Sequence, residues 1–201
     1  MHRRAMNRRQ ALRALALGSV GAASVPAWVA TLGDVASAHT GQPAATTGAG
    51  VPWTPAVFDP HQHETVVTLA ELIIPKTDTA GATDANVAQF IDTILEDAPD
   101  AERDRFLDGL AWLDARSQEL FGADFQTASD TRQAALLTIL SSPENQSTSE
   151  RTGVEFFMAM KDLTVTGYYT SAIGMLEELD DDGIRFYEDD VGCVHPEHQR
   201  D

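Results

Sequence analysis

Apolar residues recur at helical intervals from residue 58 almost to the end of the chain. Val66, Leu69, Ala70 and Ile73 fall on one face of a first helix that Pro75 must stop, because proline lacks the N–H and clashes with the preceding turn. Asp59-Pro60 with Gln62 three residues after Asp59 predicts its start: a capping-box pair around a proline in the first turn. Val87, Phe90, Ile91, Ile94 and Leu95 predict a second helix over 84–98. Phe106, Leu107, Leu110, Leu113 and Leu120 predict a third over 101–121, with Gly122 as its C-terminal stop. Asp130 and Gln133 repeat the capping-box spacing ahead of Leu136, Leu137 and Leu140. Val154, Phe157, Met160, Leu163 and Thr164 predict a fifth helix over 150–168, and a short one follows at 171–179. Strand alternation and hairpin dipeptides between β-branched runs are missing. The fold class is therefore all-α, a compact irregular bundle of five to six helices over 58–201 with an irregular acidic C-terminal tail.

The first 57 residues follow a different pattern. Arg8 and Arg9 precede a weakly apolar, Ala- and Gly-rich stretch, and Ala36-Ser37-Ala38 has the small-x-small form of a signal-peptidase site. Residues 1–38 resemble a twin-arginine export signal, the kind that carries folded cargo; an ordinary secretory signal is the competing reading. Pro26 and the low hydrophobicity argue against a membrane anchor. Residues 39–57 are uncharged apart from His39 and rich in Gly, Pro, Thr and Ala, which predicts a flexible linker ahead of the bundle.

Charge narrows the function classes. The chain carries 14 Lys and Arg against 31 Asp and Glu, a net charge of −17. Five of the arginines lie in residues 1–38 against Asp34 alone, a net of +4, so the remainder carries −21. Such a surface repels nucleic acid and anionic lipid. The acid excess fits a high-salt source and fits an ordinary acidic exported protein, and composition leaves both open. Cys193 is the sole cysteine, so an internal disulfide is impossible; in an exported chain it implies a bridge to another polypeptide or a buried thiol.

Candidate chemistry is sparse. His61, His63 and Glu64 sit together near a helix start, and Cys193, His195 and His198 near the C-terminus; either group has metal-ligand residue types. His61 and His63 are two apart on a helix and face different directions, and the C-terminal trio lacks a second cluster. The expectation is no metal site. There is no C-x-x-C-H for haem, no G-x-G-x-x-G after a strand and no G-x-S-x-G elbow, so no catalytic or cofactor-binding residue is assigned in this chain. The run FFMAMKDLTVTGYYTSAIGMLEEL at 156–179 places Gly167 inside a helical pattern, where glycine costs about 1 kcal/mol and is best tolerated if something approaches the backbone closely. The adjoining Tyr168 and Tyr169 suit a core or a partner surface equally.

Two of these segments carry a resemblance. ELIIPKTDTAGA at 71–82 and LTVTGYYTS at 163–171, with Phe90-Ile91-Asp92 and Gly192-Cys193, resemble subunit 3 of gluconate 2-dehydrogenase, the small subunit of exported flavin-dependent sugar and sugar-acid dehydrogenases. Ala80 departs from the family's usual proline before the glycine. The resemblance implies an accessory subunit that binds a large flavoprotein of the glucose–methanol–choline oxidoreductase type, supports its folded export and afterwards stabilises it. FAD is then expected in that partner and haem c in a third, cytochrome subunit, with the complex periplasmic or on the outer face of the cytoplasmic membrane. Leu163, Gly167, Tyr168, Tyr169, Thr170, Ser171 and Cys193 are the expected partner-binding residues, the last through a disulfide. Arg8, Arg9, Ala36 and Ala38 are the expected signal residues. The competing expectation is a free-standing exported helical protein that binds a metal or a small ligand.

Overall fold

The computed structural model describes residues 25–39 and 53–179. These form six α-helices: α1 (Ala27–His39), α2 (Pro60–Ile73), α3 (Val87–Asp97), α4 (Asp100–Phe121), α5 (Asp130–Leu140) and α6 (Arg151–Thr170). A 3-10 turn (Pro143–Ser147) joins α5 to α6, and a π-helical turn (Ile173–Glu178) follows α6. The described residues contain no strand, as the periodicity requires. None of their helices is long and apolar enough to cross a membrane.

The local signals mostly act as their chemistry demands. Both bonds of the capping box exist in α2: Gln62 N–H donates to Asp59, and Asp59 N–H donates to the Gln62 side chain. Gly122 ends α4 in the left-handed conformation that glycine adopts without strain. The predicted capping box at Asp130 is corrected. Ser129 occupies the N-cap position, and Gln133 turns inward to donate to the carbonyl of Phe125 at 2.8 Å. Burial decides this, because a buried loop carbonyl without a donor costs more than an exposed helix end. Helix α3 begins three residues later than expected. Asp84, which could have capped it, accepts from Gly81 N–H and Lys76 Nζ instead.

Helix α6 is the axis of the bundle, and α1, α2, α3, α4 and α5 all pack on it. Its contact with α4 is close because each helix supplies a glycine to an aromatic ring of the other. Gly109 of α4 faces Phe156, and Gly153 of α6 faces Trp112. A Cβ on Gly109 would lie 2.5 Å from Phe156 Cβ. Phe106 then stacks edge-on to Phe156 at 5.1 Å between centroids, in the geometry that the ring quadrupoles favour.

Of the residues expected to form a removable signal (1–38) and a linker (39–57), the structure describes 25–39 and 53–57. There α1 spans the 38/39 boundary and packs against α6, α3 and α4. Trp28, Val29, Leu32 and Ala36 are buried on its inner face. Each large apolar side chain removed from water in this way contributes about 1.5–3 kcal/mol. The end of the supposed linker is also ordered. The N–H groups of Ala56, Val57 and Phe58 all donate to the buried carboxylate of Asp92, at 2.7, 3.1 and 3.1 Å. Phe58 itself lies in the core.

Candidate partner-binding site

The segments singled out in the sequence meet at one end of the bundle. Helix α2 ends at Ile73, and Pro75 directs the chain into a loop that returns to α3. Glu71, in the last turn of α2, holds this loop. One carboxylate oxygen accepts from Lys76 N–H at 2.6 Å and the other from Thr83 N–H at 3.0 Å. Partial burial of Glu71 disfavours its charged form, but the backbone hydrogen bonds from Lys76 and Thr83 outweigh that effect and keep the carboxyl below its ordinary value. Gly81 has to be small: a Cβ there would sit 2.5 Å from a Glu71 oxygen and 2.6 Å from Lys76 N. Ala82 N–H closes the loop onto the carbonyl of Ile74. Asp84, its carboxyl held low by the Lys76 hydrogen bond and by Gly81 N–H, pins the outer side. Asn86 then takes a left-handed backbone, φ 54°, to start α3.

Helix α6 meets this loop from the other side. Tyr168 is buried, and its hydroxyl donates to the carbonyl of Ala80 at 2.9 Å. Alanine and proline offer the same carbonyl, so the Ala80 departure leaves this bond intact. The preceding residue, Gly167, faces the ring of Phe90 on α3; a Cβ would lie 2.6 Å from Phe90 Cδ1. This explains a glycine in the last turn of the helix: α3 and α6 approach too closely for any side chain. The motifs thus form one interlocked corner of Glu71, Gly81, Phe90, Gly167 and Tyr168.

Burial divides the expected partner-binding residues. Leu163, Gly167 and Tyr168 belong to the protein's own core and have no surface to present. Tyr169, Thr170 and Ser171 are partly exposed at the end of α6. Leu176 and Leu179, exposed apolar side chains just beyond them, lie on the same approach along the chain; sequence reasoning passed over them because they continue a helical pattern. Cys193, His195 and His198 fall outside the described residues, as do Arg8 and Arg9. Ala36 and Ala38 lie in α1, the first buried and the second exposed.

The histidines near the start of α2 diverge. His61 Nε2 bonds Asp114 on α4 at 2.6 Å, and that hydrogen bond raises its pKa above 6.5. His63 packs against Trp53, with ring centroids 5.6 Å apart. No group of three or more potential metal ligands gathers among the described residues. Trp53 and His63 border a cleft of about 210 Å³ between α2 and α3, lined by Val67, Ala82, Asn86 and Val87. It falls below the roughly 300–1,000 Å³ of sites that enclose a small organic ligand. The carboxylates of this corner are engaged by backbone donors. They hold the 76–83 loop in place.

The family model for gluconate 2-dehydrogenase subunit 3 matches residues 60–184, more than half of the chain. No curated protein and no solved structure matches it. The matched span begins at the first residue of α2 and contains the whole interlocked corner.

Proposed function

Because the chain belongs to the gluconate 2-dehydrogenase subunit 3 family, we propose that it is the non-catalytic small subunit of an exported, FAD-dependent dehydrogenase complex. It binds the folded large flavoprotein, of the glucose–methanol–choline oxidoreductase type, inside the cell and lends it the signal at Arg8 and Arg9. After export to the periplasm or the outer face of the cytoplasmic membrane it stays bound as a stabilising subunit. FAD belongs to the large subunit, and a cytochrome c subunit carries the electrons onward. The observation that carries this reading is the use of the family-like segments. Glu71, Gly81, Gly167 and Tyr168 spend their chemistry on building a rigid corner, as a binding subunit requires. Tyr169, Thr170 and Ser171 with Leu176 and Leu179 form the docking surface, because apolar side chains left exposed beside such a corner gain most from a partner. Cys193 bridges to the flavoprotein through a disulfide.

The test is export of the partner. Replacing Arg8 and Arg9 by lysine is expected to trap the flavoprotein in the cytoplasm with this chain. Normal amounts of flavoprotein outside the cytoplasm would refute the escort role. Electrophoresis of the purified wild-type complex without reductant checks the bridge: one joined band is expected, and two separate bands would exclude it.

A further inference from the structure

The helix α1 bears directly on where this chain is processed. Its sequence contains Ala36-Ser37-Ala38, the only small-x-small triplet that the sequence reading took as a cleavage site. We infer that Ala27–His39 is a permanent helix of the working protein, and that no processing cut falls after Ala38.

The geometry behind this is specific. Cleavage requires a backbone that can be drawn out into a protease, and such sites are exposed, irregular chain. Here the triplet lies in the last turn of α1. Ala36, which a peptidase would have to admit to a pocket, is completely buried. Ser37 Oγ is bonded to the Gly33 carbonyl at 2.8 Å. His39, just past the supposed cut, is tied at both ring nitrogens, to the carbonyl of Val35 at 2.9 Å and to Asp97 of α3 at 2.9 Å. The other end is fixed as well, since Trp28 Nε1 donates to Glu155 of α6 at 3.1 Å. Between these ties, Gly33 allows α6 to come so near that a Cβ would stand 3.1 Å from Asp162 Oδ2. Signal segments bind transiently to an export apparatus; this one has the complementarity of a core element, with Trp28, Val29, Leu32 and Ala36 all part of the single apolar cluster of the bundle. A cut after Ala38 would remove those four side chains and uncover apolar faces of α3, α4 and α6.

The processing half of the inference rests on the export reading above. If the chain leaves the cell folded, α1 is already docked when a peptidase meets it, and the backbone at Ala38 is held within a packed helix.

Two measurements test this on the native complex. The first is intact mass and N-terminal sequencing of the exported protein. An N-terminus at or before Pro26, with Trp28 present, is expected; an N-terminus at His39 would overturn the inference. The second uses Ala38→Leu, a change at an exposed position that denies a peptidase the small residue it needs. The exported protein is expected in wild-type amount and with a wild-type N-terminus. Accumulation of uncut precursor would mean that the cut does fall after Ala38. A chain found wholly inside the cell with residues 27–39 intact would sink the export reading while supporting the retained helix.

Discussion

The corner built by Glu71, Gly81, Phe90, Gly167 and Tyr168 and the helix α1 are both integral to the bundle, yet opposite means hold them. The corner depends on polar satisfaction and close approach: a carboxylate with two backbone donors, a tyrosine hydroxyl on a carbonyl, glycines where nothing larger fits. Helix α1 depends on apolar burial with a polar tie at each end. The difference explains why one is visible in sequence and the other is not. Hydrogen-bonding and steric demands single out particular residue types at particular spacings. Burial accepts any apolar residue of suitable volume, and an Ala-rich helix that meets the demand looks much like an export leader.

The comparison breaks most sharply at Leu32. It is fully buried in α1, so Leu32→Ala is expected to destabilise the protein by about 2–5 kcal/mol. Denaturant unfolding of the full chain checks this. An effect within about 0.5 kcal/mol, the scale of a surface change, would mean that α1 contributes nothing to the fold. In the corner, Gly167→Ala forces a methyl group against Phe90 and is expected to cost about 1–3 kcal/mol, typical of overpacking. Tyr168→Phe removes only the hydroxyl that holds the Ala80 carbonyl and should cost about 0.5–1.5 kcal/mol. The ordering Leu32, Gly167, Tyr168 is the expected result of one series of melts.

The smallest effect, that of pH, has opposite signs in the two regions. The carboxyl of Glu71 is held below its ordinary 4.5. Its contribution to stability is present above that value and is lost as pH falls through the lower, folded-state pKa. Both nitrogens of His39 face acceptors, the Val35 carbonyl and the Asp97 carboxylate, and an imidazole can donate from both only when protonated. The Val35 hydrogen bond is the largest influence; burial opposes it, and Asp97 adds to it, so the pKa of His39 lies above 6.5. Its contribution is present below 6.5 and fades as pH rises through the raised value. Hydrogen exchange across a pH series should show the 76–83 loop loosening at acid pH and the end of α1 loosening above 6.5. The same response in both regions would remove the distinction drawn here.

Much of the bundle was legible beforehand. Helices α2, α4 and α6 follow from apolar spacing with Pro75, Gly122 and the Asp59–Gln62 box, because these signals act within a turn or two of themselves. The corner was legible in part: its segments stood out, and Gly167 pointed to a close approach. Which partner approached it was not, since Phe90 is 77 positions away along the chain. Gln133 shows the same limit. Its spacing from Asp130 satisfied a local rule, but the buried carbonyl of Phe125 outcompeted that role. Asp92 stood out only as part of a family-like segment; that the N–H groups of Ala56, Val57 and Phe58 converge on it is a product of the fold.

By itself the sequence determined the helical class, most helix positions, the net negative charge and the family-like segments, because periodicity, capping and composition are properties of neighbouring residues. The tertiary structure alone decided that Leu163, Gly167 and Tyr168 face inward and that residues 27–39 pack as a helix of the core. Burial is a relation between distant parts of the chain, and only the folded arrangement brings those parts together.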